Sequence, residues 1–138
     1  MDQISIIKPV FTLILWTFTI FLFLASSCFF LLRKKYLQTA AYIKDLRGLL
    51  PSWNERLADN YTHLLEQTVT FYAGVISIAI INSFDLFIVQ LTWAFVTVRI
   101  IHSIVQLTFN FVPLRFFLFC MGWLILTLML CYQITLFA

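Results

Sequence analysis

Four stretches of this sequence are each long and apolar enough to cross a bilayer, and that feature excludes most folds. Val10 to Leu32 is 23 residues without a charged side chain. Leu64 to Ile81 holds only Glu66, Leu86 to Phe109 only Arg99, and Phe116 to Ala138 none. About 20 apolar residues suffice to span the hydrocarbon core. Only helices and closed barrels satisfy their backbone groups in lipid, and these runs lack the alternation of a barrel strand. The expected fold class is therefore all-α, an integral-membrane four-helix bundle. Composition agrees: 62% of the 138 residues are hydrophobic and 11% charged, where a soluble domain is about a quarter charged. A chain of this size has too much surface for its volume to hide that apolar area from water. The net charge of +3 is small. Its basic residues do not form the stripe of a nucleic-acid binder, so nucleic acid is set aside.

The connections order the bundle. Asn82 to Asp85 and Asn110 to Pro113 are short, which makes neighbouring helices antiparallel. The first connection is long and contains Arg33, Lys34, Lys35, Lys44, Arg47 and Arg56, six of the nine Lys and Arg residues. Arg115 falls on the same side, and only Lys8 lies opposite. The asymmetry puts the basic loop, residues 33–56, in the cytoplasm and both termini outside it. The loop could also bind anionic lipid headgroups. A single domain over 1–138 is expected, with helices at about 10–32, 53–81, 86–109 and 115–137 and a cytoplasmic loop at 33–52. Ser52, three residues before Glu55, is expected to cap the second helix with a capping box. Cys28, Cys120 and Cys131 lie alone in apolar runs, with no spacing for a metal site or disulfide. "LASSC" at Leu24 to Cys28 is read as helix rather than as a lipoprotein processing site, because four more apolar residues follow.

The charges inside the spans need partners. Counted from the turn at Ser83 and Phe84, Glu66 and Arg99 lie at depths that differ by only about 3 Å, taking ~1.5 Å per residue. His63 and His102 match in the same way. Each member of these pairs shares a helix face with its neighbour three positions away. Asp59, Asn60 and Arg56 extend one face; Ser103, Gln106 and Asn110 extend the other. Arg99 is thus expected to pair with Glu66, beneath a polar cluster that Arg115 closes at its mouth. Two roles are open: an ion pair that merely fixes which faces meet, or a ligand or ion site. The surplus of polar groups beyond one pair favours the site. Three arginines suit an anionic, water-soluble ligand. An arginine beside a thiol raises its thiolate fraction, which suits attack on a lipophilic electrophile arriving from the membrane.

"ER" at Glu55 and Arg56, then "DNYTHLLEQTVTFY" to Tyr72, resembles the second helix of the MAPEG family (membrane-associated proteins in eicosanoid and glutathione metabolism). The likeness is closest to its poorly characterised bacterial members. "WAFVTVRIIHSIVQLTFN", followed by Arg115 and Phe116, resembles that group's third helix and the start of the fourth. The resemblance implies a homotrimer in a lipid bilayer. It also implies glutathione, as substrate or cosubstrate, bound between subunits with no metal. Glu66 and Arg99 would be core polar residues of that site, with Arg56 on the carboxylates and Asn60, His63, His102 and Gln106 lining it. Arg115 would be the catalytic residue that stabilises the thiolate. Several positions depart from the family pattern. His63 stands for the usual asparagine, Thr68 for a common proline, and Asp59 for a basic residue. Gln106 and Phe109 replace tyrosines, which removes a phenolic donor to the thiolate.

Three functions follow. The first is a glutathione-dependent transferase or peroxidase acting on a lipophilic second substrate, with enzymatic activity an open question. The second is a non-catalytic membrane scaffold or lipid- or peptide-binding trimer. The third is a proton or ion pathway through Glu66, His63 and His102, ranked last because nothing polar continues in the first and fourth spans.

Overall fold

The computed structural model describes residues 3–31, 33, 51–82 and 84–137. Four helices follow one another: α1 (Gln3–Leu31), α2 (Ser52–Ile81), α3 (Leu86–Leu107) and α4 (Val112–Phe137). Each is long and apolar enough to cross a membrane, and together they form the expected four-helix membrane bundle. Most of the basic first connection, including Lys34, Lys35, Lys44 and Arg47, lies outside the described residues, so the charge asymmetry across the membrane stays an expectation.

Helix ends follow local chemistry. α1 begins well before Val10 and runs through Pro9, which forfeits a backbone donor. Packing explains this: Ile6 and Leu13 are fully buried, and Gln3 donates to the Ala79 carbonyl at 3.4 Å. The expected cap at Ser52 does not form. Pro51, at φ −56° and ψ 145°, opens the helix instead, and its carbonyl accepts from the Asn54 and Glu55 amides at 2.9 and 3.3 Å. Ser52 is thereby drawn into the first turn. α2 stops at Asn82 in the left-handed region, φ 56°. Asp85 caps α3, its Oδ1 accepting from the Ile88 amide at 3.0 Å. α3 ends two residues sooner than expected. Asn110 adopts φ 47°, and its amide donates to the Val105 carbonyl at 2.8 Å. α4 then starts at Val112, earlier than expected, because Pro113 fits the first turn of a helix.

Successive helices run antiparallel. Asn54 Nδ2 meets Ser27 Oγ at 2.6 Å at one end of the α1–α2 pair, while Gln3 meets Ala79 at the other. α1 packs against α2 and α3, and α4 against α3 and α2. Hydroxyls within the spans are satisfied locally. Thr12, Thr17, Thr19, Ser26, Thr97 and Thr127 each donate to the carbonyl four residues back, as lipid requires. Large apolar side chains such as Phe11, Phe18, Ile80 and Phe116 face outward, where hydrocarbon takes the place of a core.

One division along the bundle positions everything else. The buried stripe of α2 reads Asn54, Leu57, Asn60, Leu64, Gln67 and Thr68, and then Phe71, Val75, Ile78 and Ala79. That of α3 reads Ile88, Val89, Thr92, Phe95 and Val96, and then Arg99, His102, Ser103 and Gln106. Antiparallel packing sets apolar half on apolar half, with Phe71 and Phe95 stacked at 4.5 Å between centroids. The polar halves meet at the other end.

Candidate functional site

At the polar end, the α2–α3 contact is built on hydrogen bonds. Asn60 Nδ2 donates to Ser103 Oγ at 2.7 Å, both residues being fully buried. Arg99, also fully buried, reaches across to donate from Nη2 to the His63 carbonyl. Its Nε and Nη1 make no hydrogen bond to protein. The expected Arg99–Glu66 ion pair does not form. Glu66 contributes long-range attraction to the guanidinium, but its carboxylate contacts His63 instead, with Nδ1 and Oε2 at 3.1 Å. The Glu66 side chain is 48% exposed on the outer flank of the helix. Depth was right and azimuth was not: the stripe facing α3 and α4 passes through Asn60, Leu64 and Gln67, and Glu66 sits about 100° away from Gln67 around the helix.

The inward residue at that depth is Gln67. Its Nε2 donates to the Phe119 carbonyl of α4 at 2.9 Å, and its Oε1 lies where a Cβ on Gly122 would come within 2.3 Å. Glycine at 122 is what lets α4 approach this side chain. Gln67 was absent from the sequence-based site; the i, i+4, i+3 spacing of Asn60, Leu64, Gln67 and Phe71 is the signal that finds it.

Between α2, α3 and α4 lies a cavity of about 220 Å³ lined by His63, His102, Val112, Arg115, Phe116 and Phe119. Three of the expected site residues meet there. One wall carries two imidazoles and a guanidinium, and the other is apolar. Arg115 lies in the first turn of α4 and is held by Asn110, whose Oδ1 accepts from Nη1 at 2.9 Å. His102 is 2% exposed and lies within electrostatic range of Arg99, His63 and Arg115. It sits against Gln106 one turn away, yet neither side chain completes a well-formed hydrogen bond. Behind the cavity wall, Asn60, Arg99 and Gln106 are entirely buried.

The remaining expected residues stand apart. Arg56 is half-buried one turn before Asn60, with Nε sequestered from solvent, and is not among the residues that line the cavity. Phe109 is 87% exposed and does not line it either. Asp85 Oδ2 accepts from the Tyr132 hydroxyl at 2.6 Å at the apolar end, joining the end of α4 to the α2–α3 turn. Among the described residues, no group of three His, Cys, Asp or Glu side chains is arranged to hold a metal ion.

A cavity with one guanidinium and two imidazoles on one wall and an apolar wall opposite, open at the flank of a membrane bundle, suits a small anionic molecule that meets a lipophilic one. The family model described as MAPEG family matches residues 9–135, nearly the whole chain. Among curated proteins and among solved structures, none gives a significant match.

Proposed function

The chain belongs to the MAPEG family, and on that premise we propose that it binds glutathione in the cavity between α2, α3 and α4 and activates its thiol toward lipophilic electrophiles. Family membership carries a membrane-associated role in glutathione or eicosanoid metabolism in general terms. The more specific reading rests on one observation: Arg115 shares a cavity with His63, His102, Phe116 and Phe119. Arg99 behind the cavity wall offers positive charge to the tripeptide's carboxylates. Arg115 is the group to stabilise a thiolate. Val112, Phe116 and Phe119 form a wall that an apolar second substrate reaches from lipid. The sulfur would form a bond to an electrophilic carbon and push charge onto the leaving group or oxygen.

The proposed assembly is a homotrimer in a bacterial inner membrane, both termini periplasmic and loop 33–56 cytoplasmic. The exposed Glu66 carboxylate, in the middle of α2, supports association, because an ionised group on a lipid-facing flank is costly. Residues of a second copy would cover it.

A second reading has its own support. Among the described residues no phenol lines the cavity: Gln106 is a buried amide and Phe109 is 87% exposed. That favours a site that holds ligand without turning it over, in a scaffold or lipid- or peptide-binding role.

Calorimetry of glutathione binding to the detergent-purified protein decides between them, with thiolate absorbance followed in the same samples. Native mass spectrometry should give three times the 16.2 kDa chain. Under the first reading the wild type binds and shows a thiolate signal, and Arg115→Ala abolishes that signal while leaving the fold intact. Binding without thiolate would favour the second reading. No binding would overturn both glutathione assignments and leave the scaffold alone.

A further inference from the structure

Within the site just proposed, and resting on that reading, we infer that His63 and Glu66 form a catalytic dyad in which the imidazole takes the glutathione thiol proton. It would take the role of a phenol, which none of the described residues lining the cavity provides. The geometry has three parts. His63 Nδ1 and Glu66 Oε2 are 3.1 Å apart, within hydrogen-bonding distance. The His63 ring lines the same cavity as Arg115, and lies edge-on to Phe119 with centroids 6.3 Å apart. Glu66 is not tied up by Arg99, whose guanidinium reaches the His63 carbonyl instead.

A histidine whose Nδ1–H is donated to a carboxylate has its tautomer fixed, and Nε2 then carries the lone pair. This is the arrangement of a general base oriented by a third group. An (i, i+3) pair on a water-exposed helix contributes little and is screened. Here the pair adjoins an apolar run and a cavity, where one charge stabilises another more strongly.

The chemistry balances without a further reactant. The thiol S–H bond breaks and its proton passes to His63 Nε2. The products are a thiolate held by Arg115 and an imidazolium held by Glu66. When the sulfur has bonded to the electrophile, the imidazolium returns the proton to the oxygen or leaving group that carries the new negative charge. His102 from α3 and Arg115 from α4 line the same cavity as this imidazole, and Arg99 from α3 donates to the His63 backbone carbonyl. Glu66, with Oε2 at 3.1 Å from Nδ1, is the carboxylate in contact with this imidazole.

The dyad differs from activation by Arg115 alone in where the proton goes. Glutathione titrated into the protein at neutral pH, in buffers of different ionisation enthalpy, reports protons released per thiolate formed. Wild type should release close to none, since the proton stays on His63, and an imidazolium signal should appear in the nitrogen NMR spectrum of labelled histidine. His63→Asn should need a higher pH for the same thiolate absorbance and release about one proton per thiolate, whatever its glutathione affinity in the same titration. Glu66→Gln keeps an acceptor for Nδ1–H but removes the charge, and should fall between the two.

The dyad is overturned if wild type and His63→Asn release the same one proton with the same pH profile. In that case Arg115-dependent thiolate would still leave the proposed function standing. If wild type binds glutathione with no thiolate at any accessible pH, both the activation reading and the dyad fail together.

Discussion

Arg99 is the residue that most repays attention. It is buried to 0% exposure, donates one hydrogen bond to a backbone carbonyl, and leaves two nitrogens without protein partners. A buried cation held so sparsely is an expense to folding, because desolvation exceeds what one carbonyl returns. Glu66 sits on the helix flank, so removing Arg99 strands no buried carboxylate. Arg99→Met is therefore expected to be neutral to stabilising, by about 1–4 kcal/mol. Glutathione affinity should fall in the same variant. Thermal unfolding in detergent checks the first part and calorimetry the second. A loss of stability above about 2 kcal/mol would mean that the guanidinium is better satisfied than its contacts indicate. The sequence placed Arg99 and Glu66 at one depth correctly, since rise per residue is fixed. It could not reveal that Glu66 turns aside, because the azimuth of α2 is chosen by all its neighbours at once.

Among elements, the α2–α4 contact is specified by a side chain and by the lack of one. Gln67 is fully buried, bonded to the Phe119 carbonyl, and lies over Gly122, where a methyl group would come within 2.3 Å of its Oε1. Gly122→Ala should push Gln67 off its acceptor and cost about 1–3 kcal/mol. Gly74→Ala is a useful control. Its Cβ would meet the flexible tips of Leu130 at 3.1 Å and Met129 at 3.4 Å, so a smaller loss is expected. In the Gly122→Ala background, Gln67→Ala should recover part of the stability, which a double-mutant cycle on detergent melting would register. A purely additive result would break the link between the two positions. Neither residue stood out in the sequence: a glycine in an apolar run is common in membrane helices, and its partner lies 55 positions away.

Across the whole molecule, polar contacts hold the two ends of the bundle differently. At the polar end they surround a cavity; at the apolar end Gln3 meets Ala79 and Tyr132 meets Asp85. The Tyr132 hydroxyl donates to Asp85, and with the Ile88 amide it holds that carboxyl below the usual carboxylate range. A carboxyl with a depressed folded pKa contributes stability above its unfolded pKa, about 4. That contribution is lost as pH falls through the lower, folded value. Melting temperature measured from pH 7 to 3 should therefore show a gap between wild type and Asp85→Asn that narrows below about pH 4. A gap independent of pH would mean that the carboxylate charge plays no part in the latch.

Read alone, the sequence determined that this is a four-helix membrane chain, that its helices alternate in direction, and that its polar groups gather toward one end. Those properties depend on run length, loop length and rise per residue, all local quantities. It also carried the family likeness, in residues from Glu55 to Phe116. The tertiary structure alone decided which polar groups meet. It moved Glu66 from Arg99 to His63, brought Gln67 onto α4, set Asn110 against Arg115, and left Arg56 outside the cavity. Those outcomes depend on helix rotation, which is fixed by the packing of Phe71 on Phe95, of Asn60 on Ser103 and of Gln67 over Gly122 acting together. A periodic pattern tells which face of a helix is buried; only the neighbours determine what that face touches.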